Sequence, residues 1–255
     1  MASPGEYVSV SGLKMFYEVH GSGRPILLLH GATATIDYCF AKLIPELAKH
    51  HTVIAPEQQA HGHTKDDPDR PLTYERMAQD TAALLDHLNV GPVDVIGWSD
   101  GGNVGVLLAI HHPELVRKLV VTGANCRTDA VDPETLQWLG SVRAEEWPKE
   151  ILDAQQQVGV DVQQFAASLP RFKRMWLNFN VPTEDLRHIQ APVLVMGGDR
   201  DMIRLEHFLE TFRALPHAQL AILPGTGHAT LKERPEWFLD IVAAFLAEPM
   251  RAENR

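Results

Sequence analysis

Gly97-Trp98-Ser99-Asp100-Gly101 sets a serine between two glycines, and Gly102 follows. A serine hydroxyl is a poor nucleophile until a base takes its proton. The pentapeptide comes directly after the apolar run Val93–Ile96 and directly before a helical pattern from Asn103 to His111. That context puts Ser99 on a sharp strand-to-helix turn, its oxygen projecting from the end of a sheet. Glycines at the flanks relieve clashes that a Cβ would cause. The helix start aims free N–H groups and the positive end of its dipole at the same spot. The chemistry expected is nucleophilic attack on a carbonyl. The plainer use of a serine here is to cap the helix.

The base must be an imidazole within reach of that oxygen. In strand–turn–helix elbows of this kind the chain order is serine, acid, histidine. His228, in the loop Leu223-Pro-Gly-Thr-Gly-His228 after the last strand, meets that order. His207 and His217 lie in the preceding helix–turn segment, His30, His61 and His63 follow earlier strands, and His50, His51, His111 and His112 read as solvated residues at helix ends. The acid should follow the penultimate strand, where Val193-Leu-Val-Met-Gly-Gly-Asp199-Arg-Asp201 offers two carboxylates. One of them would support the imidazolium formed during attack; the other would cap a helix beginning near Met202 or pair with Arg200. Spacing does not choose between Asp199 and Asp201.

Negative charge that grows on the carbonyl oxygen needs donors already in place. The backbone N–H groups of Ala32, in His30-Gly31-Ala32 after the run Ile26–Leu29, and of Asp100, the residue after the nucleophile, are expected to form this oxyanion hole. Phe172, Met175, Trp176 and Phe179 form a stripe at helical spacing that reads mainly as core, with Trp176 expected to line the substrate pocket. The carboxylate of Asp100 either binds a substrate ammonium group or turns away to the backbone. His61-Gly62-His63 has no third partner at metal-ligand spacing, so no metal is expected, and the chemistry needs no cofactor.

These residues must be carried by a sheet. Tyr7–Val10 and Met15–Val19 read as a hairpin. Ile26–His30, Thr52–Ala55, Val93–Ile96, Leu119–Thr122, Pro192–Met196 and Leu220–Leu223 read as further strands. Helical patterns run over Thr73–Leu88, Asn103–His111, Leu205–Leu215 and Pro235–Leu246. Strands alternating with helices predict an α/β fold, a mostly parallel eight-stranded sheet with helices on both faces. Residues 127–190 carry no strand pattern and read as a small helical insertion. Ligands sit beyond the carboxyl ends of parallel strands, so this segment is expected to act as a lid. The expected organisation is a core of residues 1–126 and 191–255 with a lid at 127–190.

The remaining bounds come from composition. The 255 residues carry a formal charge of −10 and no basic stripe, which disfavours nucleic acid and membrane surfaces as partners. Met1 to Glu6 lacks the basic and apolar regions of a signal peptide, and the two cysteines, Cys39 and Cys126, read as free thiols. A cytoplasmic protein acting on a small molecule is the expectation.

Taken in order, Leu27-Leu-Leu-His-Gly31, Ala60-His-Gly-His-Thr64, Gly97-Trp-Ser-Asp-Gly-Gly102, Gly198-Asp-Arg-Asp201 and Pro224-Gly-Thr-Gly-His228 resemble the α/β-hydrolase superfamily over nearly the whole chain. The nearest branch is that of small esterases, haloperoxidases and amino-ester hydrolases. The resemblance implies a Ser99–His228–acid triad. The family's acid stands third after a strand-ending glycine, which favours Asp201 over Asp199. Relatives with aspartate at the nucleophile position include epoxide hydrolases and dehalogenases, and the serine here argues against those reactions. One departure is the run Pro56-Glu-Gln-Gln-Ala-His-Gly62, where many relatives have aspartate and arginine. The implied activity is carboxylic ester cleavage through an acyl-serine. A lactone, a carbon–carbon bond or peroxyacid formation are alternatives on the same triad. A ligand-binding protein with vestigial hydrolase activity is the alternative of another class.

Overall fold

The computed structural model describes residues 5–250. The first four residues of the stretch read as lacking a leader lie outside the described residues.

In chain order the strands are β1 (Glu6–Val10), β2 (Leu13–Gly21), β3 (Arg24–Leu29), β4 (His51–Pro56), β5 (Val93–Trp98), β6 (Val116–Thr122), β7 (Val193–Gly198) and β8 (Ala218–Leu223). The helices are α1 (Ile36–Phe40), α2 (Ile44–Leu47), α3 (Tyr74–His87), α4 (Asp100–His111), α5 (Pro133–Ser141), α6 (Lys149–Gln157), α7 (Val162–Trp176), α8 (Thr183–Leu186), α9 (Leu205–Ala214), α10 (Thr230–Glu233) and α11 (Pro235–Ala247).

The eight strands form one sheet in the order β1-β2-β4-β3-β5-β6-β7-β8. β2 pairs antiparallel with both β1 and β4, and the other pairings are parallel. The apolar run of β3 shows why helices must cover both faces. Side chains alternate along a strand. Ile26 and Leu28 join one hydrophobic cluster with Phe40 of α1, Leu47 of α2 and Phe238 of α11, while Leu27 and Leu29 join the other with Leu84 of α3, Val106 of α4 and Phe208 of α9. All four side chains of that run are 0% exposed. An edge strand needs no such symmetry, and β8 is correspondingly half-exposed.

The chain order reverses at β3, which has β4 on one side and β5 on the other. In parallel sheets the crevice beyond the carboxyl ends at such a reversal takes the ligand. Ala32 follows β3 and Ser99 follows β5, so both enter that crevice. Between β6 and β7 the described chain runs through α5 to α8. α5 and α7 open on aspartate caps, Asp132 and Asp161, whose carboxylates accept first-turn N–H groups.

Three local expectations shift. α4 begins at Asp100, three residues before Asn103, so Gly101 and Gly102 lie in its first turn. A Cβ on Gly101 would overlap the carbonyl of Leu29; glycine is what lets this turn cross so close to β3. His51 opens β4 rather than ending a helix. Asp199 neither caps a helix near Met202, since α9 starts at Leu205, nor pairs with Arg200; its carboxylate accepts from Thr226 N–H at 3.3 Å.

Candidate active site

Ser99 sits at φ 55° and ψ −120°, a region costly to a residue with a Cβ. Its N–H donates to the carbonyl of Thr122 at 2.8 Å, extending the β5–β6 pairing by one residue. Its side-chain oxygen is hydrogen-bonded to His228 Nε2 at 2.8 Å, and His228 Nδ1 is bonded to Asp201 Oδ1 at 2.7 Å. The side chain of Asp201 is completely buried and that of His228 is 21% exposed. Asp201 Oδ1 also accepts from Ile203 N–H at 3.0 Å, which fixes the carboxylate in its own loop. Ser99, His228 and Asp201 are thus brought together, and Asp199 is left outside, exposed.

The imidazole is held from several sides. Trp98 Nε1 donates to the carbonyl of His228 at 2.9 Å. The hydroxyls of Thr122, at the end of β6, and Thr230, two residues past His228, meet at 2.8 Å. Glu233 accepts from Gly227 N–H. Gly123, at φ +65° after β6, backs the ring: a Cβ there would stand 2.8 Å from His228 Cε1 and 3.5 Å from Asp201 Oδ2. Nothing in the motif reading marked Gly123 or Trp98. Their importance comes from meeting His228, more than a hundred positions away.

Ser99 and His228 open into a cavity of about 270 Å³. Ala32 and Asp100 line it beside the serine. Asp100 is the first residue of α4, and N–H groups there have no helical acceptor. Trp98, Trp138, Trp147 and Trp176 supply much of the remaining wall, with Leu136, Leu139 and Ile151. The charged groups on the wall are Asp100, Glu150 and the titratable His228; no lysine or arginine is among the lining residues. A larger groove of about 780 Å³, lined by Pro113, Lys118 and Pro192, lies at the amino ends of the strands, away from the serine.

Phe172, Met175 and Trp176 lie on α7, but the helix ends at Trp176 and Phe179 falls beyond it. Trp176 lines the cavity. Phe172 stacks on Trp176 and meets His61 edge-on, and Phe179 packs against Tyr74. The Asp100 carboxylate does not turn to the backbone. It accepts from Tyr74 Oη at 2.6 Å and from Trp176 Nε1 at 2.9 Å. His61 and His63 go to separate partners, the Gln59 carbonyl and Glu57. Glu57, in the run that departs from many relatives, is 1% exposed and accepts from the N–H groups of Ile36 and His63. Gln59 accepts from Arg70, which also forks onto Asp80. The loop is closed by its own side chains despite the change of residues. Cys39 and Cys126 are buried free thiols, their pKa values pushed up to about 12 by burial.

Burial lifts the Asp100 carboxyl to about 6, against its two donors and the nearby His228, which pull it down. A folded-state pKa above the unfolded value means that the fold prefers the protonated form. The associated stability is complete below about pH 4 and is lost as pH rises through about 6. Asp100→Asn carries no charge and can still accept from Trp176. It is therefore expected to melt higher than wild type at pH 7.5, by on the order of 2 kcal/mol, with the gap closing at pH 4. Paired thermal melts at the two pH values check this; an equal gap at both would rule out the charge as its cause.

Known proteins resemble this chain over most of its length. Residues 26–241 match the family model described as "Alpha/beta hydrolase family". The chain is 26% identical over 268 residues to 2-hydroxymuconate semialdehyde hydrolase of Pseudomonas sp. (strain CF600), covering 96% of this chain and 94% of that protein. It is 27% identical to the human serine hydrolase BPHL, over 76% of this chain and 69% of that one. Among solved structures, 2-hydroxy-6-oxo-6-phenylhexa-2,4-dienoate hydrolase from Rhodococcus sp. strain RHA1 superposes with a TM-score of 0.84 at 22% identity, over 97% of this chain and all of that chain. That likeness shows the fold. Among the described residues, no helix is long and apolar enough to cross a membrane.

Proposed function

The chain belongs to the alpha/beta hydrolase family, and from that premise we propose that it cleaves carboxylic esters through an acyl-serine intermediate. The observation that carries this is the continuous hydrogen-bonded run from Asp201 through His228 to the oxygen of Ser99, at 2.7 and 2.8 Å. Ser99 Oγ attacks the ester carbonyl while His228 Nε2 takes its proton. Asp201 holds Nδ1–H and offsets the imidazolium charge. The N–H groups of Ala32 and Asp100 receive the oxyanion. As the tetrahedral intermediate collapses, His228 returns the proton to the leaving alcohol. Water then repeats the sequence and releases the acid. The helical segment 127–190 serves as the lid, and Trp176 is part of the substrate pocket.

One relative is named as a hydrolase of 2-hydroxy-6-oxo-2,4-heptadienoate, an anion. The wall around Ser99 favours esters over such substrates, because it offers two carboxylates and no cation. Like charge in a small cavity repels. The substrate class supported is therefore a neutral ester with apolar groups of modest size. The test is a panel of short p-nitrophenyl esters, a lactone and an acidic diketone, with an anionic hemisuccinate ester matched in size to a neutral one. Neutral esters should turn over fastest, with kcat/KM for the anionic ester lower by about tenfold or more. Turnover of the diketone acid alone would replace the ester reading. Failure of a fluorophosphonate to label Ser99 in folded protein would favour a binding protein instead.

A further inference from the structure

The two segments that carry the proposed oxyanion donors are fastened to one pair of indoles. Trp147 Nε1 donates to Thr33 Oγ1 at 2.9 Å, and Thr33 directly follows Ala32. Trp176 Nε1 donates to Asp100 Oδ2 at 2.9 Å, and Asp100 supplies the second donor N–H. The two indoles stack, with centroids 5.6 Å apart and planes within 11° of parallel. Trp147 and Trp176 are each 7% exposed.

Thr33 needs such support. It is 0% exposed and sits at φ +55°, a left-handed conformation that is strained for a β-branched side chain. Its hydroxyl accepts from Trp147 and donates to the Ala32 carbonyl at 2.7 Å. Gln155 of α6 donates to the Thr33 carbonyl. The turn after β3 lies beyond the strand pairings; its own Ala34 N–H to Gly31 carbonyl bond and the Ile36 N–H to Glu57 bond hold it from the core side, and these side chains from the helical segment hold it from the other.

We infer that Trp147 and Trp176 form a brace that holds the Ala32 and Asp100 N–H groups at the spacing an oxyanion requires, and that they are positioning residues for the reaction. The inference rests on the reading of Ser99 as an acyl-transfer nucleophile. Oxyanion donors act only when preorganised about 2.7–3.1 Å from the developing charge. A stacked pair of rigid rings, each with its single N–H donor committed to one of the two segments, meets that demand. It also makes docking of the helical segment a condition for catalysis rather than only a way to exclude water.

The test uses substitutions that keep shape and remove one bond. Trp147→Phe retains an aromatic ring without the N–H. Thr33→Val keeps the β-branch without the hydroxyl, and Thr33→Ser keeps the hydroxyl. For a short p-nitrophenyl ester, Trp147→Phe and Thr33→Val should each lower kcat by about 10- to 100-fold, with KM nearly unchanged. Their combination should be no worse than Thr33→Val alone, which already loses the Trp147 bond along with the hydroxyl's own bond to the Ala32 carbonyl, and Thr33→Ser should restore most of the rate. Affinity for a trifluoromethyl ketone, which adds to Ser99 and forms an oxyanion, should fall by the same factor as kcat. A rise in KM at constant kcat would leave the indoles as pocket wall alone and overturn the brace. So would lower melting temperatures with unchanged ketone affinity. Fluorophosphonate labelling of wild-type Ser99 separates the two failures. Without labelling the reading of the site falls and takes the brace with it; with labelling and unaltered variants, the brace alone falls.

Discussion

Replacing Ser99 by alanine is expected to lower kcat for ester hydrolysis by about 10⁴-fold or more, with little change in melting temperature. The rate loss follows from the geometry. No other hydroxyl is bonded to His228 Nε2 among the described residues, and a nucleophile that acts as one unit with its base leaves only the residual effect of donors and binding when it is removed. The unchanged stability follows from the backbone. Ser99 lies at φ 55°, ψ −120°, and alanine bears the same Cβ strain. Ser99→Gly should be equally inactive yet more stable than Ser99→Ala. Relief of a strained non-glycine backbone contributes about 1–3 kcal/mol, against about 0.5–1 kcal/mol for the extra freedom of unfolded glycine. The net is about 1 kcal/mol, or a rise of about 2–4 °C for a chain of this size. Steady-state kinetics and thermal melts of the two variants check both halves. Alanine retaining a tenth of the activity would remove Ser99 from the mechanism, and glycine melting no higher than alanine would remove the strain.

The second large effect separates two aspartates that stand two positions apart. Asp201→Asn is expected to lower kcat by about 10³- to 10⁴-fold, while Asp199→Asn should stay within about threefold of wild type. Both outcomes open to the new amide are harmful. If its oxygen keeps the bonds to His228 and Ile203, the negative charge opposite the imidazolium is gone. If its NH₂ turns to Nδ1, the ring takes the tautomer whose Nε2 carries hydrogen and cannot accept the serine proton. Asp199 accepts from Thr226 N–H, while the two imidazole nitrogens of His228 are bonded to Asp201 and Ser99, so replacing Asp199 alters a loop and not the relay. Steady-state kinetics at a fixed pH with both variants suffice. Asp199→Asn losing more than Asp201→Asn would assign the acid to the wrong carboxylate.

Much of this was legible in the sequence because it depends on neighbours along the chain. The run from Ile26 to Leu29 could only be a strand covered on both sides, and its alternating side chains are divided between the two clusters. The elbow around Ser99 follows from glycines set between an apolar strand and a helix, and the loop of His228 from its place after the last strand. The loop at Glu57 is held by its buried carboxylate, which accepts from the N–H groups of Ile36 and His63.

What the sequence left open lay wherever two partners are remote in the chain. Asp199 and Asp201 follow the same strand and differ in where β7 ends and how the next loop turns; the resemblance alone favoured Asp201, and the folded chain brings that carboxylate to an imidazole 27 positions on. The stripe Phe172, Met175 and Trp176 showed which side of α7 is apolar, but only tertiary packing decided that Trp176 reaches Asp100, 76 positions earlier, and that Trp147 reaches Thr33 across 114. The clearance that Gly123 leaves behind His228 belongs to the same class. Periodicity and turn chemistry act over a few residues and are written in order along the chain. A hydrogen bond between distant residues depends on the summed geometry of every strand and helix between them, and that sum is formed only when the chain folds.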